Sequence, residues 1–388
     1  METLTSFYDV LGIGPTADAD TLRKAYRRLA RKHHPDVSRD PRAHENMARI
    51  NEAFETLIDS SRRLEYDAML AGGGVVGAPE NRRNHAKPVV VRLLRRMSGH
   101  QTPVYALTFA EDSGQLVSSA FDNELIWWNE ATGIPKRRLK IESGTISTLR
   151  AATSNRVFGA GSAENQVNFC QIKADGPDSW RTADEEWAGA VAISPNGKFL
   201  ATGSVHHTLS VFDTATGRCL FRRADHDSAV TCVAWSADGA FIATGSADAS
   251  VKIWDAATGN LVETIHQIRS AVTAVAFSND GKFLIAAAVD LSIRVFTLYN
   301  RQLVKMMFGH TKVVESLAFH PNGWLYASGS RDGTVGLWNA AKGIGNVRLE
   351  CSSRPISCIE FSPDGTRLAC GSQDKLIRLW EVVAKESA

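Results

Sequence analysis

Between Thr21 and His33 the apolar residues fall at Leu22, Ala25, Tyr26 and Leu29, the i, i+3, i+4, i+7 spacing that predicts an amphipathic helix. Its opposite face carries Arg23, Lys24, Arg27, Arg28, Arg31 and Lys32. The same period returns between Ala48 and Ile58 through Ile50, Ala53, Phe54 and Leu57, so a second helix can pack antiparallel on the first. The connection between them holds His34-Pro35-Asp36. Proline fixes its own φ and disfavours the helical region in the residue before it, so the first helix must stop near His33 or His34 and the loop beyond is stiffened.

After Asp67 the helical period lapses into Gly72-Gly73-Gly74 and Pro79, followed by a polar run to Lys87, which predicts a flexible linker over 71–87. Short apolar runs alternate with turn signals from there on. Asn196-Gly197, Asp238-Gly239, Asp280-Gly281, Asn322-Gly323 and Asp364-Gly365 stand at corresponding places and predict tight hairpins, which need residues that tolerate positive φ. The first repeat shifts its glycine by one to Gly114, and the second has Asn155 instead. The repeat is 42 residues long and runs through Trp128, Cys170, Phe212, Trp254, Phe296, Trp338 and Trp380, giving seven units.

The helical segment resembles a known family on specific residues. Phe7-Tyr-Asp-Val-Leu-Gly12, Tyr26 and Leu29, Ile50-Asn-Glu-Ala-Phe54, and Arg62-Arg-Leu-Glu-Tyr-Asp67 surround His34-Pro35-Asp36 in the arrangement of the DnaJ-family J domain. The resemblance covers about residues 5–69 and implies an all-α domain. It implies further that His34, Pro35 and Asp36 dock on a heat shock protein 70 family (DnaK-type) chaperone and stimulate its ATPase, while Arg23, Lys24, Arg27 and Arg28 steer the encounter.

The 42-residue repeat resembles the WD-repeat family, in which each repeat implies a four-stranded propeller blade. Six positions before each repeat aromatic stand Asp122, Glu164, His206, Asp248, Asp290, Asp332 and Asp374. The family's buried hydrogen-bonded set carries over to His100, Ser118, Asp122 and Trp128; to His226, Thr244, Asp248 and Trp254; and to His310, Ser328, Asp332 and Trp338. Asp374 and Trp380 belong to a partial set. A Ser-His-Asp constellation invites a catalytic reading, but its recurrence at equivalent repeat positions points to scaffolding. Departures fall at Glu142, Asp184, Ile268 and Ser352 in the histidine position and at Cys170 in the aromatic one, which makes the second blade the least regular expectation. Few residues follow Trp380, so Val89–Met97 is expected to supply the last blade's outer strand and close the ring. Propellers of this resemblance recognise partners on the face of the turns before the signature aspartate. Phe121, Val205, Val289, Arg331 and Gln373 are therefore the candidate client-binding residues.

The chain thus reads as multidomain: a small all-α J domain over 1–70, a linker over 71–87, and an all-β seven-bladed propeller over 88–388 with its closing strand at 89–97. A net charge of +2 masks a basic excess at Arg82, Arg83, Lys87, Arg92, Arg95 and Arg96. That cluster lacks aromatic interleaving, which argues against a nucleic-acid partner, and part of it reads as a solvated outer strand. Cys170, Cys219, Cys232, Cys351, Cys358 and Cys370 have no metal-ligand spacing and read as reduced core thiols. No apolar leader and no membrane-length apolar run are visible, so a cytoplasmic protein without membrane contact is expected. Neither a phosphate-binding Gly-Lys loop nor a His-Glu-x-x-His motif is present, so no enzyme, cofactor, metal or small-molecule substrate is expected. The function expected is a co-chaperone that brings the ATPase to a specific protein client through the propeller. The alternative is a non-catalytic WD-repeat scaffold with a vestigial J domain.

Overall fold

The computed structural model describes residues 7–14, 17–33, 50, 53–54, 57–58, 89–110, 115–141, 146–152, 156–163, 166–172, 181–184, 188–299, 302–342 and 344–384. The chain divides into two compact units, Met1–His85 and Ala86–Ala388.

In the first unit, α1 (Phe7–Leu11) is followed by α2 (Ala19–His33). Gly12 stops α1 at a φ of 65°, a left-handed cap that lets Ile13 N–H return to the Tyr8 carbonyl at 3.0 Å. Asp18 starts α2, its carboxylate accepting the Thr21 N–H at 2.8 Å. Leu22 is buried with Tyr8 and Leu11 against Ile50, Ala53 and Leu57, which occupy helical positions, and Tyr26 stacks on Phe54 at 4.3 Å between ring centroids. The apolar stripe of each helical pattern is therefore what the small core is made of.

The second unit is a ring of seven four-stranded antiparallel sheets. Its first strand, β1 (Val89–Ser98), belongs to the last blade. Blade 1 is β2 (Val104–Ala110), β3 (Gln115–Ala120), β4 (Glu124–Asn129) and β5 (Pro135–Lys140). Blade 2 is β6 (Thr148–Ala152), β7 (Arg156–Ala163), β8 (Gln166–Ile172) and β9 (Arg181–Asp184); blade 3 is β10 (Ala188–Ile193), β11 (Phe199–Ser204), β12 (Leu209–Asp213) and β13 (Cys219–Arg223). Blade 4 is β14 (Val230–Trp235), β15 (Phe241–Ser246), β16 (Val251–Asp255) and β17 (Leu261–Ile265); blade 5 is β18 (Val272–Phe277), β19 (Phe283–Ala288), β20 (Ile293–Thr297) and β21 (Leu303–Met307). Blade 6 is β22 (Val314–Phe319), β23 (Leu325–Ser330), β24 (Thr334–Asn339) and β25 (Ile344–Glu350); blade 7 is β26 (Ile356–Phe361), β27 (Arg367–Ser372), β28 (Leu376–Ala384) and, outermost, β1.

Each blade's first strand lies innermost, and neighbouring first strands touch around the ring until β26 meets β2. The register of β1 on β28 runs from Val89 opposite Ala384 to Ser98 opposite Leu376, with a bulge between Leu93 and Arg95. Val89 packs into the same cluster as Trp380 and Val382, so the chain's two ends are stitched by apolar burial as well as by the ladder. The aromatic positions on the third strands fill the blade interiors: Trp128, Phe212, Trp254 and Phe296 are almost wholly buried. Blade 2 is a complete four-stranded sheet although Cys170 replaces its aromatic, because Val167, Phe169 and Ile172 on β8 are buried instead.

In blades 3 to 7 the hairpin glycines Gly197, Gly239, Gly281, Gly323 and Gly365 have φ between 69° and 76°. In four of these hairpins a serine locks the turn. Ser194, Ser236, Ser278 and Ser362 each donate to the following Asn or Asp and accept the N–H of Phe199, Phe241, Phe283 and Arg367. His320 takes that place in blade 6, its Nδ1 accepting the Asn322 N–H at 3.1 Å. Gly114 and Asn155 lie outside the described residues, as do residues 71–87. All six cysteines are free, and two depart from the core reading: Cys219 is exposed on an outer strand and Cys232 is half-buried. Among the described residues no helix is long and apolar enough to cross a membrane.

Candidate functional sites

In the first unit, α2 presents Arg23, Lys24 and Arg28 to solvent, on the side away from buried Leu22 and Ala25. Like charges held on one rigid face sum to a field that attracts an acidic surface. The side chain of Arg27, and His34, Pro35 and Asp36 altogether, lie outside the described residues.

In the propeller, the residues aligned by the 42-residue period meet inside three blades. In blade 1 the Trp128 indole N–H donates to Ser118 Oγ at 2.8 Å, Ser118 lies 2.7 Å from His100 Nε2, and His100 Nδ1 lies 3.1 Å from Asp122. With Nδ1–H donating to the carboxylate, Nε2 is left to accept the serine hydroxyl, and all four groups are satisfied. Blade 4 repeats this through Trp254, Thr244, His226 and Asp248, with 2.7 Å at both ends of the imidazole. Blade 6 repeats it through Trp338, Ser328, His310 and Asp332. Ser118, Thr244 and Ser328 have no solvent exposure, so these hydroxyls cannot reach a substrate and the sets act as braces.

Burial lowers the His226 pKa below its ordinary value, outweighing Asp248 beside it, and does the same to His100 against Asp122. Burial alone would raise the Asp248 carboxyl, but hydrogen bonds from Ser250 and His226 hold it down to about 2. Asp332 is held lower still by His310 and Thr334, again against burial. The aspartates also cap the turns: Asp122 accepts from Gln101 N–H and Asp248 from Asp227 N–H, tying the loop between blades to the turn within the blade.

Blades 5 and 7 solve the same problem differently. There the aspartate is met by an arginine four residues on, Arg294 on Asp290 and Arg378 on Asp374, each at 2.6 Å. Both guanidinium groups are buried, opposite Ala286 and Cys370, where blades 1, 3, 4 and 6 have the hydroxyl of Ser118, Thr202, Thr244 or Ser328. These arginines were missed in the sequence, and the signal was an Arg four after the signature Asp in a repeat lacking both histidine and hydroxyl. Ser352, in the histidine position, donates to Asp374 at 2.7 Å. Trp380 Nε1 and Arg378 Nε are left without partners, since the Cys370 sulfur is a weak acceptor.

The turns before the signature aspartates form one rim of the propeller. The residue after the aspartate position has positive φ at Asn123, His207, Ala249, Leu291, Gly333 and Lys375. Phe121, Val205 and Val289 are 52%, 44% and 49% exposed on this rim. Phe121 rests edge-on against Tyr105, 4.2 Å between centroids, and Arg331 is exposed but paired with Glu315. Gln373 is half-buried, its N–H bonded to the Pro355 carbonyl. Phe121, Gln373, Arg331 and Val289 thus sit on consecutive blades 1, 7, 6 and 5, whereas Val205 stands apart on blade 3.

Tyr105 and Glu315 are further rim residues that sequence reasoning passed over. At the matching positions Thr231, Thr273 and Ser357 donate to the inner strand of the next blade, at Val272, Val314 and Val104. A tyrosine and a glutamate cannot play that small bridging part, and aligning these positions by the 42-residue period would have exposed them. Among the described residues no group of three His, Cys, Asp or Glu is placed to hold a metal ion.

The chain matches the DnaJ domain family model over residues 6–67. It matches the WD domain, G-beta repeat model over 91–129, 183–213, 217–255, 259–297, 301–339 and 346–381. The unmatched stretch 130–182 contains β6, β7 and β8, which complete the ring in blade 2 regardless. Among similar proteins, a chaperone protein DnaJ of Thermosynechococcus vestitus is 48% identical over 75 residues, 18% of this chain and 20% of that protein. A curved DNA-binding protein of Pseudomonas putida is 47% identical over 73 residues, covering 19% and 23%. A chaperone protein DnaJ of Limosilactobacillus reuteri is 48% identical over 67 residues, covering 17% and 18%. The chain therefore spans about a fifth of the length of these curated relatives.

Proposed function

The chain belongs to the WD-repeat family and carries a DnaJ domain ahead of its propeller, and from that premise we propose that it is a co-chaperone. On this reading the all-α J domain presents His34, Pro35 and Asp36 from the connection between its helices to a heat shock protein 70 family (DnaK-type) chaperone and stimulates its ATPase. Arg23, Lys24, Arg27 and Arg28 steer that encounter. The propeller binds or scaffolds a specific protein client, so the chain needs no catalytic centre, cofactor or small-molecule substrate of its own. It works in the cytoplasm, where its six cysteines stay reduced.

The observation that carries the reading is the joining of a DnaJ domain to a closed seven-bladed ring in one chain. A ring whose buried sets all brace its own turns supplies a rigid surface for recognition rather than a site for chemistry. Phe121, Val205, Val289, Arg331 and Gln373 on the turn rim are the proposed client contacts. Client pull-down by the propeller should fall about tenfold in the Phe121→Ser, Arg331→Ala double variant, since rim-exposed aromatic and arginine anchors dominate such surfaces. Unchanged capture would discard the rim, and capture by the J domain alone would overturn the division of labour.

A further inference from the structure

The outer edges of blades 7 and 1 differ in charge from the rest of the ring. β1 exposes Arg92, Arg95 and Arg96, and the neighbouring outer strand β5 exposes Lys136, Arg138 and Lys140. Charged residues on an edge strand ordinarily discourage strand-to-strand aggregation. That explanation does not cover this ring, because β17 and β21, equally at the edge, expose Leu261, Val262, Leu303 and Val304 instead. Among the described residues, these two adjacent edges each expose three cations, more than any other outer strand.

Between those edges lies a cleft of about 640 Å3 lined by Arg92, Arg95, Lys136 and Arg367 together with the carboxylates Glu130 and Glu381. Arg95 reaches across it, its Nε and Nη2 donating to the Ala131 carbonyl at 3.0 and 2.7 Å, and its Nη1 donates to Leu94. These acceptors are neutral, so the guanidinium is fixed while its charge remains uncancelled. Arg367 faces Glu130 at 3.7 Å, a second link between blades 7 and 1. Arg92 pairs with Glu381 and Arg138 with Glu124. Arg96, Lys136 and Lys140 have no ion-pair partner among the described residues. The two edges are thus held as one preorganised cationic surface.

We propose that this surface binds an extended acidic segment of a partner protein. Both β1 and β5 are outermost strands with one unpaired backbone edge, and an extended peptide can hydrogen-bond to such an edge while its side chains meet the strand's own. Lys136, Arg138 and Lys140 alternate along β5, so acidic residues at every second position of the added strand fall beside them, with the unpaired Lys136 and Lys140 on either side of the Arg138–Glu124 pair. Nucleic acid fits less well, since the cleft has no aromatic side chain for a base to stack on. An anionic membrane calls for an open convex face, whereas these cations flank a recess.

The test is fluorescence anisotropy on the full chain with a labelled peptide of alternating glutamate and threonine. A single-stranded oligonucleotide of equal charge and vesicles of phosphatidylserine and phosphatidylcholine serve as the competing probes. Saturable one-to-one peptide binding is expected, weakened about tenfold or more by Lys136→Glu with Lys140→Glu and by less than about twofold by Lys198→Glu with Lys312→Glu, which make the same charge change elsewhere. Matching melting curves for the two variants establish that both are folded. Equal losses in both variants would reduce the effect to net charge and overturn the proposal. So would absence of peptide binding, or tighter binding of the oligonucleotide or the vesicles through the same lysines.

Discussion

At the scale of single residues, the propeller is held by backbone positions that accept one side chain and by carboxylates that must stay charged. A Cβ on Gly197 would lie 2.2 Å from the Phe158 ring, while one on Gly281 would meet nothing within 4 Å, though both have positive φ. Gly281→Ala should therefore cost about 1 kcal/mol from the left-handed conformation alone, and Gly197→Ala about 2 to 4 kcal/mol once overpacking is added. Denaturant unfolding of the two variants measures the difference, and equal losses would contradict it. Acid should weaken the braces in two steps. His226 has a lowered pKa, so below its ordinary value of 6.5 the unfolded chain takes up the proton first, and stability present above that pH falls as pH drops. Asp248, held at about 2 against an ordinary 3.8, contributes stability above the higher value that is lost as pH falls towards the lower one. Melting temperatures between pH 7.5 and 4.5 should fall for the wild type and fall less steeply for His226→Asn; parallel curves would remove the histidine from the account. The braces with histidine were readable in the sequence because one period aligns all their members. Arg294 and Arg378 were not, because an arginine beside apolar strand residues looks like a solvated edge until the missing histidine leaves the signature aspartate to be met by another group.

At the scale of elements, hairpin signals and repeat aromatics together made the blades legible, since each Asn-Gly or Asp-Gly pair fixes the place where a strand alternation must reverse. Blade 2 was the least legible element. Its turn signal is an asparagine and its aromatic a cysteine, yet β6 to β9 form a full sheet between two regular neighbours whose flanks need covering. The sequence placed the closing strand at 89–97, and β1 spans Val89–Ser98 against β28. Removing residues 1–86 should leave a propeller that unfolds cooperatively, whereas removing 1–98 uncovers Trp380 and Val382 and the whole outer side of β28. The longer deletion is expected to lower the melting temperature by about 5 °C or more, an edge-strand loss of several kcal/mol on a domain of this size. Equal melting temperatures and equal solubility for both truncations would show that the ring does not depend on β1.

At the scale of the molecule, joining the two units matters through concentration: a tether makes the second encounter intramolecular, with an effective concentration that can reach about millimolar. The joined chain should therefore deliver a client to the ATPase far better than its separated halves mixed at micromolar levels. If the basic face of α2 steers the chaperone, as proposed, salt screens that attraction within a Debye length of about 8 Å at physiological ionic strength, so stimulation of the chaperone should weaken from low to moderate salt. The most direct test of the co-chaperone reading is steady-state ATP turnover by a DnaK-type chaperone with the full chain, wild type against His34→Gln. The expected result is clear stimulation by the wild type and none by the variant, with identical far-ultraviolet circular dichroism for the two. Equal turnover with both proteins would contradict the reading and leave a scaffold whose J domain no longer drives an ATPase.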